Sequence, residues 1–161
     1  MTRAEYDTAW VQPVASEQAL GELAQKFAAA LQPPAVIFLQ GDLGAGKTTF
    51  ARAYIHALGF KGYVKSPSYG LLETYAAGGQ NVLHLDLYRI EDPEELEFLA
   101  IRDLYDDTAV LLVEWPDRGE QYLPKPDLVL KFGEKDEVRF VECRVRSERG
   151  RDLSHAVCQT G

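Results

Sequence analysis

Gly41-Asp42-Leu43-Gly44-Ala45-Gly46-Lys47-Thr48 is the stretch that decides the fold. It matches G-x-x-x-x-G-K-[S/T] in full, and that spacing follows from what a phosphate chain demands. Several N–H donors must converge on the anion, and side chains at the bend would block them. Glycine removes the side chain and tolerates the positive φ of a wrapped loop. A helix starting near Lys47 aims its unsatisfied N–H groups and the positive end of its dipole at the same point. Lys47 adds a charge for the β- and γ-phosphates, and the Thr48 hydroxyl is a magnesium ligand. Asp42, Leu43, Gly44, Ala45, Gly46 and Thr49 complete the expected nucleotide-binding set. Residue frequencies alone produce such a match in roughly one chain in two hundred of this length.

The flanks agree with the motif. Ala35-Val36-Ile37-Phe38-Leu39-Gln40 is an apolar run of strand length, as expected for a strand covered on both faces. Downstream, Lys47 to Leu58 reads as a helix stopped by Gly59. Upstream, Ser16 is a candidate N-cap for a helix carrying Leu20, Leu23, Ala24, Phe27 and Leu31 at helical spacing, broken by Pro33 and Pro34. Tyr69 to Tyr75 and Asn81 to Tyr88 flank Ala76-Ala77-Gly78-Gly79 and predict a hairpin. Asp92 caps an expected helix with Pro93 at its first position, running through Leu96 and Leu99. Ala109 to Val113 is a second buried strand. Leu128, Leu130 and Phe132 alternate on another, and Val138 to Arg146 makes one more. The order points to an α/β fold, a three-layer P-loop NTPase-like sandwich. Its mixed sheet is expected to have a parallel core and antiparallel strands. One domain over 1–161 is expected, with 147–161 loosely ordered.

Magnesium also asks for a carboxylate at the end of an apolar strand. Asp86 closes Val82-Leu83-His84-Leu85 and Glu114 closes Val110-Leu111-Leu112-Val113. Both are candidates for metal or water-positioning roles, and the residues alone do not rank them. His84 alternates with Asp86; a lone strand histidine is more often structural, and orienting a water is the sharper alternative. Trp115 is placed either to stack on the base or simply to pack. Arg89 and Arg118 are candidates for neutralising charge on the γ-phosphate or for surface ion pairs.

Composition narrows the class. Net charge is −8, which disfavours autonomous binding to DNA or RNA. Acids crowd Glu91 to Glu97 and Asp103 to Asp107, whereas Arg139, Arg144, Arg146, Arg149 and Arg151 gather later. Both runs read as solvated surface, with docking onto a partner as the alternative. The two cysteines have no metal-ligand spacing. Cys143 alternates with Val141 and Val145 and is expected on the buried face of a strand. Thin cysteine use, an acidic start without an apolar core and the lack of a bilayer-length apolar run give the expectation of a cytoplasmic protein.

Four segments taken in order carry a resemblance: Gly41 to Thr48; Ser66-Pro67-Ser68-Tyr69; His84-Leu85-Asp86-Leu87-Tyr88-Arg89; and Val113-Glu114-Trp115-Pro116 with Arg118-Gly119. The sequence resembles the TsaE family, the ATPase component of bacterial tRNA threonylcarbamoyladenosine biosynthesis, from about residue 16 to Pro124. The resemblance implies ATP and Mg2+ as cofactors and slow hydrolysis. It also implies TsaD and TsaB as partners in threonylcarbamoyl transfer to adenosine 37 of tRNAs reading ANN codons. On that view tRNA is met only through the complex, and neither membrane nor DNA is bound. Carried over by position, Lys47 and Thr48 keep their loop roles and Glu114 becomes the favoured metal ligand. Asp86 becomes a catalytic carboxylate, and Trp115 is tied to nucleotide-dependent function. Ser66 to Tyr69 is implied to be a switch-like loop facing the nucleotide. Two positions depart from the family pattern: Ser68 stands for a usual threonine, and Ala100 for a usual glycine after the acidic helix.

Other readings make different demands. A small-molecule kinase needs a substrate pocket and a mobile, arginine-bearing lid, and no such insertion follows the loop helix. A GTPase switch would show N/T-K-x-D and D-x-x-G, which are missing. A non-hydrolysing nucleotide-binding scaffold stays as an alternative beside the kinase.

Overall fold

The computed structural model describes residues 8–67 and 70–159. Strands Thr8–Pro13 (β1), Ala35–Gln40 (β2), Leu72–Ala77 (β3), Gln80–Asp86 (β4), Ala109–Glu114 (β5), Leu128–Lys135 (β6) and Val138–Val145 (β7) build one sheet. The helices are Glu17–Ala30 (α1), Lys47–Ala57 (α2), Glu95–Phe98 (α3), Ile101–Leu104 (α4) and Glu148–Gln159 (α5), with 3-10 turns at Pro116–Arg118 and Glu120–Tyr122. The strand order is β1-β7-β6-β2-β5-β4-β3. β2 runs parallel to β5 and β6, and β4 parallel to β5; the β1–β7, β6–β7 and β3–β4 pairs are antiparallel. The mixed sheet is thus a parallel centre with antiparallel margins.

Period two along the central strands makes the three layers. Ala35, Ile37 and Leu39 join the core under α1 and α2, while Val36 and Phe38 join the core on the opposite face. α1 seals the first core with Leu20, Leu23, Ala24 and Phe27, the positions its 3.6-residue spacing puts on one stripe. Burying each Leu or Phe there is worth about 1.5–3 kcal/mol. Ser16 caps this helix, its side chain accepting from the Ala19 N–H at 3.1 Å. The second face is closed by Leu87, Ile90, Leu96, Ile101 and Leu123 from the segments after β4 and β5.

Two expectations need correction, and one strand was not foreseen. The segment 147–161 is not loose where it is described: α5 packs Leu153 and Val157 into the first core. Its start is tied down through Ser147, whose Oγ donates to Asp127 Oδ1 at 2.7 Å and accepts from Gly150 N at 2.9 Å. The arginines masked a helix whose apolar stripe is only two residues deep. The acidic helix after Asp92 is not continuous either. Asp92 does not cap it: its carboxylate accepts from Glu94 N at 3.0 Å in a turn ahead of the helix. The N-cap position is Glu94, without a side-chain cap, and the helical residues run only from Glu95 to Phe98. Bonds Leu99 N to Leu96 O and Ala100 N to Glu97 O tighten the last turn, and Ala100 then flips to φ 52° before α4 begins. The expected glycine position is therefore left-handed, and here alanine occupies it. The unforeseen strand is β1, five of whose six residues are exposed, so no period-two pattern marks it. The proposed strand start at Tyr69 lies outside the described residues; β3 begins at Leu72.

Candidate functional site

The carboxyl ends of the parallel strands build the site. β2 runs into the Gly41–Gly46 loop, which opens α2 at Lys47. In register on the neighbouring strands, Leu39 pairs with Glu114 and Glu114 with Asp86. Both candidate carboxylates thus stand at equivalent strand ends beside the loop, in the crevice where open α/β sheets bind ligands.

The glycines serve different ends. Gly44 has φ 78° and open space where a Cβ would point, as a loop approached by a ligand requires. Gly41 and Gly46 are instead pressed against protein. A Cβ on Gly41 would stand 2.5 Å from Phe132 O, and one on Gly46 2.8 Å from Leu20 Cδ2. The loop is held from behind by β6 and α1, and an edge-on aromatic series, Phe27–Phe50–Phe132, ties α1, α2 and β6 together beneath it. One amide is used internally, Ala45 N donating to Asp42 O at 3.1 Å. The amino terminus of α2 has no side-chain cap, in contrast with α1. Its first N–H groups therefore have no side-chain acceptor, the condition under which a helix N-terminus can accept an anion.

Lys47 is 4% exposed. Its ammonium donates to Gly41 O and lies 3.8 Å from the centroid of the Trp115 ring. Burial holds Lys47 below the ordinary lysine range, while Glu114, Asp86, Asp42 and Asp117 pull it back up. Trp115 adopts φ 57°, packs against Tyr88 with centroids 5.1 Å apart, and has the Arg118 guanidinium 5.5 Å from its ring centroid. Arg118 also donates to Tyr88 O at 2.7 Å.

Thr48 and Glu114 are joined directly. Thr48 Oγ1 lies 2.8 Å from Glu114 Oε1 and 3.0 Å from Oε2, and Glu114 is 2% exposed. His84, wholly buried, places Nε2 2.7 Å from Glu114 Oε2. Asp86 accepts from Tyr88 N at 3.0 Å. Among the described residues no group of three or more His, Cys, Asp or Glu can hold a metal ion alone. A hydroxyl beside a carboxylate nevertheless fits Mg2+, which binds through one or two such groups and takes its remaining ligands from substrate phosphates and water.

A cavity of about 590 Å3 collects these groups, within the range of small-molecule sites. Leu43, Gly44, Ala45, Gly46, Lys47, Thr48, Thr49, Asp86, Glu114 and Trp115 line it, so most of the candidate set meets in one place; Arg89 and Tyr88 join them. Asp42 instead borders a smaller neighbouring hollow. Ser68 lies outside the described residues. Arg118 and His84 are not in the lining; they act on groups that are. Sequence reasoning missed the far wall, made by Val14, Ala15, Ser16, Glu17 and Leu20 with Arg139. Arg139 had been counted with a distant basic run, but β7 pairs with β1 and its O accepts from Val14 N at 2.9 Å. No local signal marks that approach, because it depends on strand order. No helix among the described residues is long and apolar enough to cross a membrane.

Comparison with known proteins gives one answer. The family model for threonylcarbamoyl adenosine biosynthesis protein TsaE matches residues 14–141. The protein named tRNA threonylcarbamoyladenosine biosynthesis protein TsaE from Haemophilus influenzae is 40% identical over 121 residues, 75% of this chain and 77% of its own. Its Bacillus subtilis namesake is 38% identical over 117 residues, 71% and 73% of the two chains. The crystal structure of YdiB from Bacillus subtilis superposes with a TM-score of 0.79 at 25% identity, covering 93% of this chain and 94% of that one. With the loop, the strand-end carboxylates and the sheet order already in place, a match over most of the chain means that this protein belongs to the TsaE family.

Proposed function

We propose that this chain is the ATP-binding, slowly hydrolysing subunit of tRNA threonylcarbamoyladenosine biosynthesis, a cytoplasmic protein acting with TsaD and TsaB on adenosine 37 of tRNAs reading ANN codons. Family membership supports the pathway. The observation that carries the nucleotide reading is the convergence of Lys47, Thr48, Glu114 and Asp86 on one cavity at the carboxyl ends of β2, β4 and β5. The loop amides from Asp42 to Thr49 would receive the phosphates, and Lys47 would exchange Gly41 O and the Trp115 face for phosphate oxygens. Thr48 and Glu114 would hold Mg2+, which supplies charge neutralisation on the phosphates when bound. Asp86, at the adjacent strand end, would accept a proton from an attacking water or orient it. The far wall, Val14 to Leu20 with Arg139, is left for the nucleoside. An excess of eight negative charges supports contact with tRNA through protein partners rather than directly.

Calorimetric titration with Mg·ATP and Mg·ADP tests the first half. Saturable binding is expected, and no heat at millimolar ligand would overturn it. Glu114→Ala should lose magnesium-dependent binding or turnover while staying folded; normal turnover would remove the metal assignment. Co-purification with TsaD and TsaB, with and without ATP, tests the second half. Robust phosphorylation of a small metabolite by the chain alone would favour a kinase instead.

A further inference from the structure

His84 has no task in the scheme above, yet its side chain is wholly buried beside the site. It sits two residues before Asp86 on β4, opposite Leu112 of β5, and its Nε2 reaches Glu114 Oε2 at 2.7 Å. An ionised carboxylate only accepts, so Nε2 donates, as does the Thr48 hydroxyl to the same group. Thr48 alone does not choose between the oxygens, being 2.8 Å from Oε1 and 3.0 Å from Oε2. The histidine bond breaks that symmetry. It engages Oε2 from the buried side and leaves Oε1 as the oxygen nearest the Thr48 hydroxyl.

The other ring nitrogen sharpens the point. His84 Nδ1 is buried with no hydrogen-bond partner among the described residues. A histidine kept for packing would be anchored at both nitrogens or replaced by an apolar side chain, since an orphaned polar atom is unfavourable. Here the single bond to Glu114 is what the imidazole contributes. Carboxylates that bind metal are in turn fixed by such outer partners.

We propose that His84 is a positioning residue that clamps Glu114 Oε2 so that Oε1 faces Thr48 and the Mg2+ of the bound nucleotide. The inference rests on the assignment of Glu114 to the metal. Its action is on metal affinity, not on the loop that holds the phosphates.

The test uses the full chain with His84→Leu, which lacks a donor, and His84→Gln, whose amide can donate to the same oxygen. ADP binding in EDTA is measured first, then Mg2+ is titrated into the ADP-saturated proteins and followed by calorimetry. In EDTA both variants should bind ADP within about twofold of wild type, because neither alters the loop. The half-saturating Mg2+ concentration should rise about 10–100-fold in His84→Leu and stay within about threefold in His84→Gln. Equal Mg2+ dependence in wild type and His84→Leu would overturn the proposal, as would an equal rise in both variants, which would mark packing. Should His84→Leu not fold, His84→Asn replaces it. Its amide reaches toward the Nδ1 position rather than Nε2, so Asn should shift the Mg2+ midpoint and Gln should not; equal midpoints overturn the proposal. A wild type that binds ADP without any Mg2+ effect would remove the metal assignment itself, a different result from a wild type and variant that respond alike.

Discussion

Replacing Lys47 by methionine separates ligand binding from stability, because the two effects have different sizes. The ammonium is buried, bonded to Gly41 O and stacked on Trp115. Losing a charged hydrogen bond costs about 1.5–3 kcal/mol, and losing the cation–π contact about 0.5–2 kcal/mol. Against that, methionine removes a charge whose desolvation costs several kcal/mol and fills similar space. The folded state should end within about 2 kcal/mol of wild type, a shift in Tm below about 8 °C at this length. Nucleotide binding has no such offset. Two charge-assisted phosphate contacts at about 1.5–3 kcal/mol each predict at least a 100-fold rise in the Kd for Mg·ATP, by about 1.4 kcal/mol per decade. The sign with pH follows from the same burial. The folded-state lysine lies below its ordinary value of 10.5, so burial of the charge opposes folding at neutral pH. That opposition fades as pH climbs from the lowered value to 10.5. Wild type should therefore gain on Lys47→Met in Tm over that alkaline window. Calorimetry for binding and thermal melts at several pH values read both effects. Wild-type affinity for Mg·ATP in the variant, or destabilisation beyond about 4 kcal/mol, would refute the reasoning.

Trp115 lies under the Lys47 ammonium, so phosphates that draw the lysine away should change its fluorescence. Trp115→Phe should abolish that signal and Trp10→Phe preserve it; the reverse result would place the reporter elsewhere. Ala100→Gly relieves a left-handed residue worth about 1–2 kcal/mol, offset by about 0.5–1 kcal/mol of glycine freedom. Tm should rise by about 1–4 °C, and a fall would show that the exposed methyl matters more than the backbone. Burial pushes the Cys143 thiol up to about 12, whereas Cys158 is exposed. A thiol reagent at pH 8 should titrate one cysteine in the native protein and none rapidly in Cys158→Ser; fast labelling of two would contradict the packing of β7.

The phosphate loop, its strand and its helix were legible because each has a local cause: an apolar run, glycines at fixed spacing and a following helical period. The strand-end carboxylates were legible as candidates for the same reason, since Asp86 and Glu114 each close an apolar run. The linkage of Glu114 to Thr48 and His84 was not legible, because residues 66 and 30 positions apart meet only through strand pairing. Sequence also carried Ala100 as a departure without its meaning, which became clear only from its φ of 52°.

What the chain's letters determined by themselves was the glycine-bounded loop with Lys47 and Thr48 opening its helix, since the backbone donors and the charge there come from consecutive residues. Tertiary structure decided which surfaces surround it. It brought Arg139 and the Val14 to Leu20 turn to the cavity, stacked Lys47 on Trp115 and set α5 in the core. Those contacts follow from sheet order and from apolar faces that find one another across the fold. Pairwise burial between distant segments leaves no mark in any short stretch of sequence.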